Sequence, residues 1–200
     1  MGNICSIESC LKYLNFESIV SKNYREISLS KNIILPGVGN FKEAMKNLRE
    51  NNFNVLLKSL AKNVDVKIMG ICLGMQLLCK SSNESGINKG LGLIPLKVRN
   101  FSKKTKGKIK IPHVGFNKVE LNENESLFFN NLNGQNDFYF NHSYRAVNKN
   151  IKLNRYISEC NYGDKFVAIY KKDNICGLQF HPEKSQFNGL SLVKNFFNKC

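Results

Sequence analysis

Three residues of this chain have the types and spacing for nucleophilic chemistry. Cys72 stands in Gly70-Ile71-Cys72-Leu73-Gly74, just after the apolar run ending at Met69. A thiolate is a strong nucleophile near neutral pH when its surroundings hold its pKa down, and it needs a base beside it. The histidines are His113, His142 and His181. His181 belongs to Gln179-Phe180-His181-Pro182-Glu183. In an extended segment residues i and i+2 point the same way, and Pro182 stiffens that geometry. Glu183 is then placed to orient His181 and to stabilise its charge, which gives a Cys–His–Glu relay.

The elements around these residues can be read from pattern. Lys67 to Met69 reads as a buried strand and Leu73 to about Lys80 as a helix, so Cys72 falls on the turn between them, a nucleophile elbow. Gly70 and Gly74 remove side chains where strand and helix approach. The helix start favours thiolate over thiol, and the Leu73 amide is free to meet a developing oxyanion. A second amide can come from Pro36-Gly37-Val38-Gly39, which ends the apolar strand Asn32 to Leu35. Asn40 then caps a helix with Phe41, Ala44, Met45 and Leu48 on one stripe. Residues 3–15, Phe53 to Leu60 and Leu190 to Asn198 read as further helices, and Cys79 as a core residue on the helix after Cys72. The second half is strand-rich: GLIPLKV, IPHVGFNKVEL, FYFNHSYRAV, RYISEC, FVAIY and ICGLQF. Strand–helix alternation followed by such a half predicts an α/β sheet of mixed strand directions, in one domain over residues 1–200.

Composition narrows the class. The net charge of +15 comes from 30 basic and 15 acidic residues, with no helix-spaced basic stripe; the densest cluster, Lys103 to Lys110, reads as a solvated loop or strand edge. Scattered surface charge fits this better than a nucleic-acid site. The seven cysteines form no Cys-x-x-Cys pair, and no His/Cys spacing predicts zinc. No leader is read at the start and no apolar run has membrane-spanning length. Free thiols in a reducing cytoplasm are the expectation.

LPGVGNF, GICLGMQLL, PHVGFN, NHSYR and QFHPEKS, in that order, resemble the class I (triad-type) glutamine amidotransferases, and among them the glutaminase subunits of imidazole glycerol phosphate synthase. The resemblance runs over essentially the whole chain. It implies a three-layer, flavodoxin-like α/β fold: a central, mostly parallel sheet with helices on both faces and an additional antiparallel part. It implies that Cys72 attacks the side-chain amide of glutamine, with His181 as base and acid and Glu183 behind it. The Leu73 amide and one from Gly37, Val38 or Gly39 would form the oxyanion hole. Gln76 and the His142-Ser143-Tyr144 segment would hold the substrate, and Lys184 would face a (β/α)₈ cyclase subunit that receives the ammonia. On this reading His113 is structural and His142 shapes the pocket. No metal or organic cofactor, no membrane and no nucleic acid is implied.

The chain also departs from that pattern. Members open on an apolar strand that leads into Asp-Tyr-Gly-x-Gly-Asn, whereas this sequence begins Met1-Gly2-Asn3. As given, the sequence lacks the first strand of the sheet, with unpaired ladder edges as the expected result; the expectation is that the true start lies upstream of Met1, the alternative a truncated and less stable protein. Asn141 stands where an apolar residue is expected and Phe116 where Trp is usual. These leave open a paralogue feeding ammonia to another synthase, such as one making amidino or amino sugars. More distant alternatives are a cysteine hydrolase and a non-catalytic basic binding module.

Overall fold

The computed structural model describes residues 4–101, 109–122, 127–132, 134, 136–149 and 151–199, so most of the lysine cluster at 103–110 lies outside the described residues. Helix α1 (Ile4–Tyr13) opens the described chain, followed by a short α2 (Tyr24–Leu29) that the sequence pattern did not announce. Strand β1 (Asn32–Leu35) leads to α3 (Phe41–Glu50), whose cap is the expected one: the Asn40 side chain accepts from the amides of Lys42 and Glu43 at 2.9 and 3.3 Å. Then come α4 (Phe53–Leu60), β2 (Lys67–Ile71) and α5 (Leu73–Leu78). The helix after Cys72 is shorter than expected. Cys79 is a core residue, as read, but it opens strand β3 (Cys79–Ser82).

The strand-rich half holds β4 (Asn88–Lys89), β5 (Ile94–Asn100), β6 (His113–Glu120), β7 (Asp137–His142), β8 (Tyr144–Val147), β9 (Ile157–Tyr162), β10 (Asp164–Lys172) and β11 (Ile175–Leu178), and α6 (Gln186–Lys199) follows. The segment read as one strand from Phe138 to Val147 is broken at Ser143. Before the break β7 pairs with β6; after it β8 pairs with β5 and β10. The chain thus crosses from an outlying ribbon into the main sheet at the residues expected to touch substrate.

The main sheet runs β1-β2-β11-β10-β8-β5-β3-β4, with β9 branching from β10 and followed outward by β6 and β7. β1, β2 and β11 are mutually parallel, as are β3 and β5, and the remaining pairs are antiparallel. Among the described residues β1 has a strand partner on one side only, β2.

Alternating side chains split the interior into two cores. On β2 and β10, Met69, Phe166 and Ala168 join Ile7 and Leu11 of α1 and Leu192, Val193 and Phe196 of α6. Their neighbours Ile68 and Val167 join Phe41 and Met45 of α3, Leu57 of α4 and the apolar residues of α5. The sheet is therefore covered on both faces, the arrangement that parallel strands require.

Candidate active site

Cys72 sits between β2 and α5 with φ 53° and ψ −109°. That is left-handed territory which a side chain rarely enters, and it turns the residue out of the strand direction. Two glycines allow it. A Cβ on Gly70 would lie 2.7 Å from the backbone of Gly74 and Met75, and one on Gly74 would run into the carbonyl oxygen of Leu35. The elbow is pinned to the neighbouring strand, because the Cys72 amide donates to the Leu178 carbonyl at 2.7 Å.

β11 then delivers His181, the candidate base. The His181 amide donates to Tyr139 O at 2.9 Å, and the Ser185 hydroxyl donates to the His181 carbonyl at 2.7 Å. His181 Nδ1 lies 2.9 Å from Glu183 Oε1, and His181 also hydrogen-bonds the Cys72 thiol. With Nδ1 committed to the carboxylate, Nε2 is the nitrogen left for sulfur. The expected pairing of His181 with Glu183 forms, but not through an extended segment: Pro182–Lys184 is a single 3₁₀ turn, with His181 at its N-cap. Both side chains of the pair are nearly inaccessible, at 4% and 1%. Burial alone would lower the His181 pKa; hydrogen bonds to Cys72 and Glu183, and their negative charge, outweigh it and raise the value to about 9. The imidazolium form of His181 is thereby favoured near neutral pH.

A cavity of about 510 Å³ opens over the sulfur. Its wall includes Cys72, Leu73, Gln76, His181 and Lys184, with Val38 and Gly39 from the loop after β1 and His142, Ser143 and Tyr144 from the β7–β8 break. Nearly all the residues read from sequence are brought together here. Glu183 stands behind His181 rather than on the wall, and Gly37 packs behind it too, where a Cβ would lie 2.9 Å from that of Leu73. Gly39 has φ +104°, a conformation that turns its backbone at little cost only because it is glycine.

His142 and His113 are buried and neutral. Burial pushes their pKa values down to about 3 and about 4, and the charge of His113 adds to the shift of His142. His142 therefore lines the wall as a neutral imidazole and takes up no second proton near neutral pH.

Sequence reasoning missed Glu84. It lines the cavity, and its Oε2 accepts from the Phe41 amide at 2.8 Å, which fixes it at the start of α3. Its only signal is a carboxylate twelve residues beyond Cys72, a spacing that no local pattern marks. Gln179 was missed too; its Nε2 lies 4.0 Å from Cys72 Sγ.

Lys184 is exposed at the rim with Nζ 5.8 Å above the Tyr139 ring, and Tyr139 meets Phe116 edge to face at 5.5 Å. Phe116 and Val114 on β6 are about half exposed. Among the described residues no group of three or more His, Cys, Asp or Glu could hold a metal ion, and no helix is long and apolar enough to cross a membrane.

An elbow cysteine, a His–Glu pair from the adjacent parallel strand and a cavity above them define a class, and the chain belongs to it: it matches the family Glutamine amidotransferase class-I over residues 2–200. It superposes on a crystal structure of a glutamine amidotransferase with a TM-score of 0.70, covering 98% of this chain and 93% of that one, at 17% identity. It is similar to imidazole glycerol phosphate synthase subunit HisH 1 of Parasynechococcus marenigrum (strain WH8102), at 40% identity over 99% of this chain and 93% of the relative. It is also similar to imidazole glycerol phosphate synthase subunit HisH of Moorella thermoacetica (strain ATCC 39073 / JCM 9320), at 38% identity over 98% of this chain and 90% of that one.

Proposed function

We propose that this chain is the glutaminase subunit of an imidazole glycerol phosphate synthase. The observation that carries the reading is the unbroken hydrogen-bond line from Glu183 through His181 to Cys72 at the floor of the cavity. The Cys72 thiolate attacks the side-chain carbonyl carbon of glutamine. The oxyanion is met by the Leu73 amide and by an amide of the Val38–Gly39 turn. His181 passes its proton to the leaving nitrogen, and ammonia departs as a glutamyl thioester forms. His181 then takes a proton from water as it attacks the thioester, and glutamate leaves with the sulfur restored. Gln76 and the His142–Tyr144 backbone hold the substrate. Glu84 supplies the negative charge that the substrate's α-ammonium needs in a partly desolvated cavity.

Ammonia passes to a (β/α)₈ cyclase bound as a heterodimer partner. Lys184, Tyr139, Phe116 and Val114 give that partner a face with an aromatic centre and a cation, beside the cavity mouth. The free cysteines among the described residues suit a reducing cytoplasm.

The test is glutamate release from glutamine, with and without the cyclase and its nucleotide ligand, with Cys72→Ala as control. Turnover that rises with the cyclase and vanishes in the variant is expected. Turnover that ignores the cyclase but responds to another synthase would move the ammonia acceptor and leave the glutaminase chemistry in place. No turnover in any combination would refute the reading.

A further inference from the structure

A chain of buried polar groups runs under the cavity, and its direction can be worked out atom by atom. The anchor is the carbonyl of Tyr144, which can only accept. Gln76 Nε2 lies 2.9 Å from it, so this end of the Gln76 amide is the NH₂. The same nitrogen lies 3.1 Å from Gln179 Oε1 and gives its second hydrogen there. The oxygen of Gln179 is thereby assigned, and its NH₂ is the end 4.0 Å from Cys72 Sγ. On the other branch, His142 Nδ1 lies 2.9 Å from the Tyr144 carbonyl and so carries the hydrogen. His142 Nε2 must then accept from His113 Nδ1 at 3.1 Å, and His113 Nε2 from Asn117 Nδ2 at 2.7 Å. Gln179 and His113 are both 0% exposed, so water offers neither an alternative.

Besides His181, the sulfur has two opposed neighbours. The Asn141 carbonyl, 3.7 Å away, accepts from the thiol and disfavours the thiolate. A fixed amide N–H does the reverse, and a charge-assisted bond shortens once the negative charge is present. We infer that Gln179 acts directly on the nucleophile as an N–H donor to the Cys72 thiolate. Gln76, Tyr144, His142 and His113 are the positioning chain that keeps this end of the amide turned to sulfur. The inference rests on the proposed reading only in taking the Cys72 thiolate as the working species.

The experiment is alkylation by iodoacetamide across pH, read by mass spectrometry on the Cys72 peptide, with the exposed Cys5 as internal reference. Gln179→Leu should slow Cys72 about tenfold at neutral pH, Gln179→Glu about a hundredfold, and neither should change Cys5. His113→Phe keeps a ring stacked between Phe140 and Tyr162, at 4.7 and 3.9 Å, but removes the donor to His142; it should slow Cys72 about threefold. A folded Gln179→Leu protein with the wild-type profile overturns the inference. If that variant does not fold, Gln76→Met releases the Gln179 amide from the cavity side, and an unchanged Cys72 profile there overturns it equally. Glutamate release is measured on the same samples. A wild type with a reactive Cys72 and no turnover in any combination with cyclase or synthase defeats the glutaminase reading alone.

Discussion

Raising the pH from about 6.5 to 8.5 takes the proton from the histidine of the unfolded chain while folded His181 largely keeps it, and the stability lost can be worked from the site. Burial opposes the imidazolium, but the hydrogen bonds and charge of Cys72 and Glu183 hold its pKa at about 9 against an ordinary 6.5. A group raised in this way stabilises the fold fully below its unfolded pKa and loses that contribution as pH climbs through the folded value. The shift corresponds to about 3 kcal/mol in total, of which about 2 kcal/mol disappears between pH 6.5 and 8.5. His113 and His142 have the opposite sign: held neutral down to about 4 and about 3, they favour the fold above pH 6.5 and lose that contribution as pH falls. Stability should therefore peak near pH 6.5. Buried Cys10 and Cys160, pushed up to about 11 and about 12, add their own loss only above the ordinary thiol value of 9.0, which leaves the window below it to His181. The chain has no Trp, so urea unfolding is best followed by far-ultraviolet circular dichroism, at about pH 6.5, 7.5 and 8.5. His181→Asn should flatten the alkaline limb and Glu183→Gln should shrink it. A wild-type limb that survives unchanged in His181→Asn refutes the reasoning.

Three further outcomes can be checked more simply. Gly74→Ala forces a methyl into the Leu35 carbonyl and should cost about 3 kcal/mol in thermal unfolding, whereas Gly39→Ala has no atom within 4 Å and should cost about 1–2 kcal/mol, from its φ of +104° alone. Glu84→Gln keeps an acceptor for the Phe41 amide but loses its charge; glutamine KM should rise about 10- to 100-fold with little change in kcat. Asp164→Ala leaves the buried Arg145 without the carboxylate now 2.6 Å from it and should lower stability by about 3 kcal/mol, read from the urea midpoint.

What could be read from sequence was what local chemistry decides. The Asn40 cap, the bounds of β1 and α4 and the Gly-Cys-Gly elbow each depend on a few consecutive residues, and each stands where expected. The pattern failed where distant pairing overrides it. The helix after Cys72 stops at Leu78 because β3 pairs with β5, with Gly90 packed against the carbonyls of Leu77 and Cys79. The Phe138–Val147 run alternates like one strand, yet its two halves have different partners. Glu84 and Gln179 were invisible for the same reason: their contacts lie 43 and 107 residues away in sequence.

The position of β11 has a consequence for synthesis. It lies between β2 and β10, although the chain makes it after both. A polypeptide emerging from the ribosome completes β2 and the Cys72 turn about a hundred residues before Leu178 arrives to accept the Cys72 amide. Throughout that interval the thiol has neither its anchor nor its base. A chain stalled before Ile175 carries an ordinary cysteine, and only insertion of the late strand arms it. On the proposed reading, closing the sheet and activating the nucleophile are one event, so a half-made chain has no primed thiol to expose to the cell.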